Sequence, residues 1–187
     1  MECTWSLLHI SICSFDYRFR WVYCQLEVLR GCFPQTLRRT LKELPKTLDE
    51  TYERTLQSID KGKQEYACRL FQCLAVSVRP LRVEELAGIL AVLLETGEDP
   101  EYHVDWCPED AQQAVLSTCS ALITVVNIDG SPVVQFSHFS VKEFLTSPRL
   151  ANAGEHLSHY HILLHSAHTT LSRASLTVLL SLGDKVE

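Results

Sequence analysis

The chain has 187 residues, 46% hydrophobic and 21% charged, a composition typical of a soluble globular protein with one ordinary core or two small modules. Its formal net charge is −6, and residues 83–148 carry eleven acidic side chains against a single base, Lys142. This imbalance disfavours nucleic acid and anionic lipid as partners. No run of about 20 apolar residues occurs, so we predict no membrane span.

The eight cysteines are distributed along the chain, and no two of them form a C-x-x-C pair. This spacing argues against a zinc site. Several cysteines fall at apolar positions of predicted helices, where a free thiol acts as a small hydrophobic side chain. We therefore expect reduced cysteines and a cytoplasmic location.

The N-terminal third predicts a helical domain over residues 15–62. Residues 1–14 show no clear period and are unassigned, whereas helical spacing runs from Tyr17 to a glycine stop and resumes after Pro34. Thr47 is predicted to cap a third helix that presents one apolar stripe. The stripe comprises Leu48, Tyr52, Leu56 and Ile59.

The middle of the chain predicts a winged helix at about residues 64–138, within a domain spanning residues 63–150. The order is helix, short strand, helix, acidic loop, helix and hairpin, with Asp129 and Gly130 at the hairpin turn. The elements are helices over 64–78, 83–94 and 108–120, an extended piece at 81–82, a loop over 96–107, and strands over 122–126 and 133–137. The inward face of the first helix is predicted to be Tyr66, Leu70, Leu74 and Val78.

The last part of the chain, residues 151–187, predicts the start of a C-terminal helical domain, with one helix over about residues 155–182. Several histidines fall on this helix, and His161 and His165 have the i, i+4 spacing that can bind a metal. No acid or cysteine lies at a matching helical position, so we predict no metal site. The fold class expected is mainly α: a helical bundle, then a winged helix with a small β-hairpin, then C-terminal helices.

The sequence contains no motif of a known catalytic site. The nucleophile-elbow, zinc-protease and dinucleotide-binding patterns do not occur. Gly62 and Lys63 are similar to the end of a phosphate loop, but the earlier glycine and the following Ser or Thr are not there. We therefore predict that the chain is not an enzyme and has no catalytic residue.

A DNA-binding winged helix is an alternative that the charges disfavour. Residues 108–120, the expected recognition helix, contain no Lys or Arg, and residues 127–132 of the wing contain none either. Phosphate contacts dominate the affinity of such modules for DNA. A winged helix that packs against protein explains the sequence better.

The junction between the second hairpin strand and the next helix is the candidate functional site. Ser140 and Glu143 have the spacing of a capping box, which predicts that a helix begins there. His138 precedes that start, a position at which backbone N–H groups favour an anion such as phosphate. Alternatively, His138 is a buried histidine that shares a strand face with Val134 and Phe136. The residues by themselves leave both interpretations open.

Four segments together indicate a family. Residues 19–26, 41–54, 79–86 and 136–145 resemble, in order and spacing, the region immediately C-terminal to the NTPase core of fungal NACHT-type signalling ATPases. These are STAND or NLR-like proteins, and many continue into ankyrin or other repeats. The winged-helix part also resembles the module named after GPI inositol-deacylase. That name implies no deacylase chemistry here, since no hydrolase motif accompanies it.

The resemblance implies a role for His138. In NLR-type ATPases a winged-helix histidine in a Phe-x-His-x-x-x-x-Glu-Phe context contacts the β-phosphate of bound ADP and helps to hold the closed, inactive state. By resemblance His138 senses nucleotide here, and Ser140 and Glu143 form the helix cap that supports it. The implied function is a non-catalytic regulatory module that closes over the nucleotide site and relays its state to C-terminal repeats.

The same resemblance sets the expected cofactors and partners. The phosphate loop and the Mg²⁺-binding acid of the ATPase core are not in this sequence, so we expect no cofactor in this chain. ADP or ATP is expected only with the NTPase core. The expected partners are that core and the C-terminal repeats, and we expect the chain to be a piece of a longer protein. A generic protein-interaction winged helix without a nucleotide role is the main alternative.

Overall fold

The computed structural model describes residues 3–94 and 99–183, with side chains described from Tyr17 onward. The chain forms two compact units, which divide between Thr55 and Leu56 and are called here the N-terminal unit and the C-terminal unit. Each unit is described separately. The domain boundaries predicted from the sequence remain predictions.

The N-terminal unit contains three helices, α1 (Cys3–Arg30), α2 (Leu37–Lys42) and the greater part of α3 (Leu48–Gln57). Helix α1 begins at Cys3, within the residues that showed no sequence period. Thr47 caps α3 as predicted, because its Oγ1 accepts a hydrogen bond from the Glu50 N–H at 3.1 Å. The predicted apolar stripe of α3 is confirmed, since all four of its side chains are buried.

The C-terminal unit confirms the winged-helix fold and the mainly α class. Its three strands form one antiparallel sheet in the order β1-β5-β4, and the register sets Leu81 opposite Val134 and Ile123 opposite Phe136. The hairpin turns at Asp129 and Gly130, whose φ angles are 50° and 79°. The elements are α4 (Gln64–Val76), β1 (Leu81–Arg82), α5 (Val83–Leu90), α6 (Ala111–Cys119), β4 (Ile123–Ile128) and β5 (Ser131–Phe136).

The segment between α5 and α6 is more ordered than the predicted loop. In sequence order β2 (Val92–Leu93) and β3 (Glu101–Tyr102) pair as a second, two-stranded antiparallel sheet, and a 3₁₀ turn follows at Val104–Trp106. In the structure these strands precede β4. Residues 95–98 of the predicted loop lie outside the described residues.

Four helices follow the sheet: α7 (Phe139–Leu145), α8 (Pro148–Ala151), α9 (Gly154–Ser158) and α10 (Leu164–Gly183). The prediction of one helix over residues 155–182 was wrong, because the chain leaves the helical path between α9 and α10. There the Ile162 N–H donates to the Leu145 carbonyl at 2.9 Å. His161 therefore precedes α10 while His165 lies within it, and the two do not share a helix face.

The core of the C-terminal unit centres on α4, which packs on α10 and on the sheet. Phe71 is fully buried, and its ring centroid lies 6.3 Å from that of Phe136 and 6.4 Å from that of Tyr160. The predicted inward face was partly wrong: Tyr66 is 45% exposed and Val78 is fully exposed. Helix α4 ends at Val76 and the chain then becomes extended, so the helical period does not reach residue 78.

The start of α5 predicts a pH-dependent stability contribution from Glu85. Its carboxylate accepts two hydrogen bonds from the Arg79 guanidinium, at 2.7 and 2.9 Å, and one from the Arg82 N–H at 2.9 Å. The hydrogen bonds from Arg79 hold the pKa of Glu85 below its ordinary value. A carboxyl group whose folded-state pKa is depressed stabilises the fold above its unfolded pKa, and this stabilisation is lost as pH falls through the folded pKa.

Glu85→Gln is therefore expected to lower the free energy of unfolding by about 0.5 kcal/mol at neutral pH, a small value because the pair is solvent-screened. The difference from the unsubstituted chain is expected to shrink as pH is lowered from about 7 to about 3. Urea unfolding at several pH values measures it. Glu84→Gln, a change at the exposed neighbouring acid, is the matched control; the same pH dependence in both variants would contradict the assignment to the Arg79 pair.

Candidate functional site

His138 lies at the junction of β5 and α7, where it is the N-cap residue of the helix, in an extended conformation with φ −161° and ψ 149°. Its Nδ1 accepts a hydrogen bond from the Ser140 N–H at 3.3 Å and lies 2.6 Å from the Ser140 Oγ. An imidazole nitrogen that accepts a backbone N–H carries no proton itself. The Ser140 hydroxyl therefore also donates to Nδ1, and in the neutral ring Nε2 carries the proton.

The capping box predicted from Ser140 and Glu143 was wrong. Helix α7 begins at Phe139, so Ser140 lies in the first turn, where it is buried, and Glu143 lies exposed further along the helix. The imidazole of His138 takes the capping role because its Nδ1 reaches the Ser140 N–H directly. Ser140 thus fixes the orientation of the ring through two hydrogen bonds, one from its backbone and one from its side chain.

The His138 ring is half-buried, and the neighbouring Phe139 ring is 42% exposed with its centroid 4.3 Å away. These two adjacent rings form a partly exposed aromatic surface at the edge of the winged helix. Helix α7 has seven residues, so its dipole is weak, and any contact with an anion depends on the imidazole itself.

In the N-terminal unit, two residues of the resemblance segments make specific hydrogen bonds that sequence reasoning did not anticipate. The indole N–H of Trp21 donates to the Pro45 carbonyl at 3.1 Å. The Gln25 amide donates to the Thr51 Oγ1 at 3.0 Å, and Gln25 is buried. These bonds attach α1 to the turn before α3 and to its first turn, so both residues act structurally.

The helix expected to read DNA, α6, presents no basic side chain. Its N-cap is Asp110, whose Oδ1 accepts a hydrogen bond from the Gln113 N–H at 2.8 Å. A carboxylate therefore stands at the end of the helix that would approach the phosphates. This geometry is unfavourable for binding in a DNA groove.

The chemistry of the described thiols is that of protonated core groups. The six described cysteines are free, and burial raises the pKa of Cys68 and of Cys73 to about 12 and that of Cys119 to about 11. A thiol with a raised pKa is a poor nucleophile and a poor metal ligand at neutral pH. Among residues 3–94 and 99–183, no group of three or more His, Cys, Asp or Glu side chains could hold a metal ion, and no helix could cross a membrane.

The sequence matches the family described as "GPI inositol-deacylase, winged helix domain" over residues 52–154, more than half of the chain. The chain belongs to this winged helix domain family. The matched region extends from α3 to the start of α9 and includes the β5–α7 junction with His138.

A curated relative of this winged helix domain protein is the azaphilone pigments biosynthesis cluster protein L of Monascus ruber. It is 33% identical over 145 residues, which cover 75% of this chain and 29% of the relative. The region shared with this chain is therefore less than a third of the relative's length. No solved structure matches the chain.

Proposed function

We propose that this chain is a non-catalytic regulatory module of a cytoplasmic NACHT-type signalling ATPase, which closes over the nucleotide site and relays its state to C-terminal repeats. The observation that carries the proposal is His138: a half-buried imidazole, held by Ser140, in the Phe-x-His-x-x-x-x-Glu-Phe context of a winged helix domain. The curated relative supports a setting within a larger protein, because the shared region is 29% of its length.

The mechanism rests on a contact made in one arrangement only. With Nδ1 engaged by Ser140, the ring of His138 has Nε2 as its donor toward a phosphate oxygen. A donor that contacts ADP when the winged helix is docked, and not when it is released, shifts the equilibrium toward the docked state. One charge-assisted hydrogen bond contributes about 1.5–3 kcal/mol, or a factor of about 10 or more in ADP retention. Ser140 positions the ring in this scheme.

His138→Ala is expected to accelerate the release of ADP about tenfold from a NACHT NTPase core joined to this chain, because the phosphate contact is lost. Stopped-flow fluorescence with a labelled ADP measures the dissociation rate. His138→Asn separates the two roles of the residue, since asparagine caps a helix well and lacks the imidazole.

His165→Ala, a change at an exposed histidine of α10, is the matched control and is expected to leave the rate unchanged. Faster release in both His138 variants supports the phosphate contact. Faster release in His138→Ala alone assigns the effect to the helix cap, and an unchanged rate in both removes the nucleotide-sensing role.

A protein-interaction winged helix without a nucleotide role is the second candidate, and the C-terminal half of α10 favours it. Leu176, Leu179 and Leu180 are large apolar side chains that are all well exposed there. Apolar side chains clustered on one exposed helix segment are typical of a surface that another protein covers. In that case the chain would bind a protein partner while the release of ADP stays unchanged by its presence.

A further inference from the structure

A cavity of about 280 Å³ opens between the start of α4, the helix α5 and the helix α6, beside the 3₁₀ turn at Val104–Trp106. Its inner wall is apolar and includes Ala87, Leu90 and Val115. This cavity, called here the α4–α6 pocket, is remote in sequence from the β5–α7 junction and lies within the C-terminal unit. Its volume is at the lower end of the range for small-molecule sites.

Two aromatic side chains line the α4–α6 pocket. Tyr66 is 45% exposed and Trp106 is 52% exposed, so each ring retains a large area available for contact. The Trp106 ring is also supported by His103, which stacks on it with a centroid distance of 3.9 Å. Exposed tyrosine and tryptophan are side chains that contribute strongly to binding, because they give large rigid contact areas.

Lys63 is the only charged side chain among the described residues that line the pocket. Its Nζ donates to the Ser117 carbonyl at 3.1 Å and to the Ser117 Oγ at 3.2 Å. Both acceptors are neutral, and within the described part of the chain the ammonium makes no ion pair. Asp110, at the nearby start of α6, does not line the pocket and accepts a hydrogen bond from the Gln113 N–H. A positive charge therefore remains at the pocket without a bound counter-charge.

We propose that the α4–α6 pocket binds a small aromatic carboxylate. A planar body of one or two rings contacts Tyr66 and Trp106 and covers the apolar wall, while the carboxylate accepts a hydrogen bond from the Lys63 ammonium. The size of the pocket excludes a larger body, and the single unpaired cation selects an acid over a neutral or cationic aromatic. The proposal is independent of the nucleotide-sensing role of His138.

The test titrates the full 187-residue chain with 1-naphthoate and, as an uncharged match, with 1-naphthalenemethanol, and records amide and indole NMR shifts. Saturable shifts are expected at Trp106 and at residues 62–66 and 114–118. Lys63→Met is expected to weaken binding of 1-naphthoate about tenfold and to leave 1-naphthalenemethanol unchanged. Lys61→Met, which removes an exposed lysine outside the lining, is the matched control.

A second variant tests the cavity itself. Ala114→Leu fills the pocket from α6 and keeps Lys63, so both probes are expected to lose affinity while thermal unfolding shows that the chain remains folded. The proposal is overturned if 1-naphthoate shows no saturable binding, if its shifts map to other residues, or if the two lysine variants weaken it equally. Equal affinity of the unsubstituted chain for the two probes overturns the charge selection.

Discussion

Phe71→Ala is expected to lower the free energy of unfolding of the C-terminal unit by about 3–5 kcal/mol. Phe71 has no exposed surface and contacts the rings of Phe136 from the sheet and Tyr160 from the segment before α10. Its removal loses the transfer free energy of a phenyl ring and leaves a cavity that three separate elements would have to collapse to fill. Urea unfolding followed by circular dichroism measures the loss.

Phe139→Ala is the matched control, because it removes the same side chain from a position that is 42% exposed. We expect it to cost less than about 1 kcal/mol, since little apolar surface returns to water. A similar loss in the two variants would contradict the assignment of Phe71 to the centre of the core. A small loss in both would mean that α4 presents a different face to the sheet.

The winged-helix order could be predicted because its punctuation is local. The turn at Asp129 and Gly130 requires positive φ angles, which these two residue types adopt readily, and it fixes the register of the hairpin strands. Thr47 is an N-cap of the common type, and the apolar stripe that follows it has a clean helical period. In each case the deciding interaction lies within a few residues of the signal.

Features decided by distant contacts were not predictable. The helical pattern continues through residues 159–163, yet the chain is extended there and bonds to the Leu145 carbonyl from Ile162. The buried face of α4 depends on where α10 and the sheet lie, which no period within α4 encodes. Local pattern predicts an element, but its partners decide its length and its buried face.

The candidate site divides in the same way. His138 could be placed between strand and helix from its neighbours, but its role as the cap could not, because Ser140 is the more common capping residue and the imidazole bond to its N–H depends on the extended conformation at residue 138. The α4–α6 pocket gave no sequence signal at all. Lys63 and Ser117 are 54 residues apart, and only the packing of α6 on α4 brings them together.

Arg69 shows which of two interactions matters for stability. Its guanidinium donates to the Val92 carbonyl and is almost fully buried. Because the Ala91 carbonyl accepts from the His103 N–H, the next pair, Val92 and Tyr102, is of the non-hydrogen-bonded type, and the Val92 carbonyl faces away from β3. Arg69 is thus the group that satisfies a buried backbone acceptor at the start of the small sheet.

Arg69→Met, which keeps the aliphatic body and removes the donors, is expected to lower the free energy of unfolding by about 2–3 kcal/mol, because the Val92 carbonyl then loses its charged partner. Arg69 also bonds Glu65 at 3.3 Å, but the Glu65 side chain is 82% exposed, so Glu65→Gln is expected to cost less than about 0.5 kcal/mol. Urea unfolding of both variants separates the two contacts. If Glu65→Gln costs as much as Arg69→Met, the ion pair rather than the carbonyl bond determines the stability contribution of Arg69.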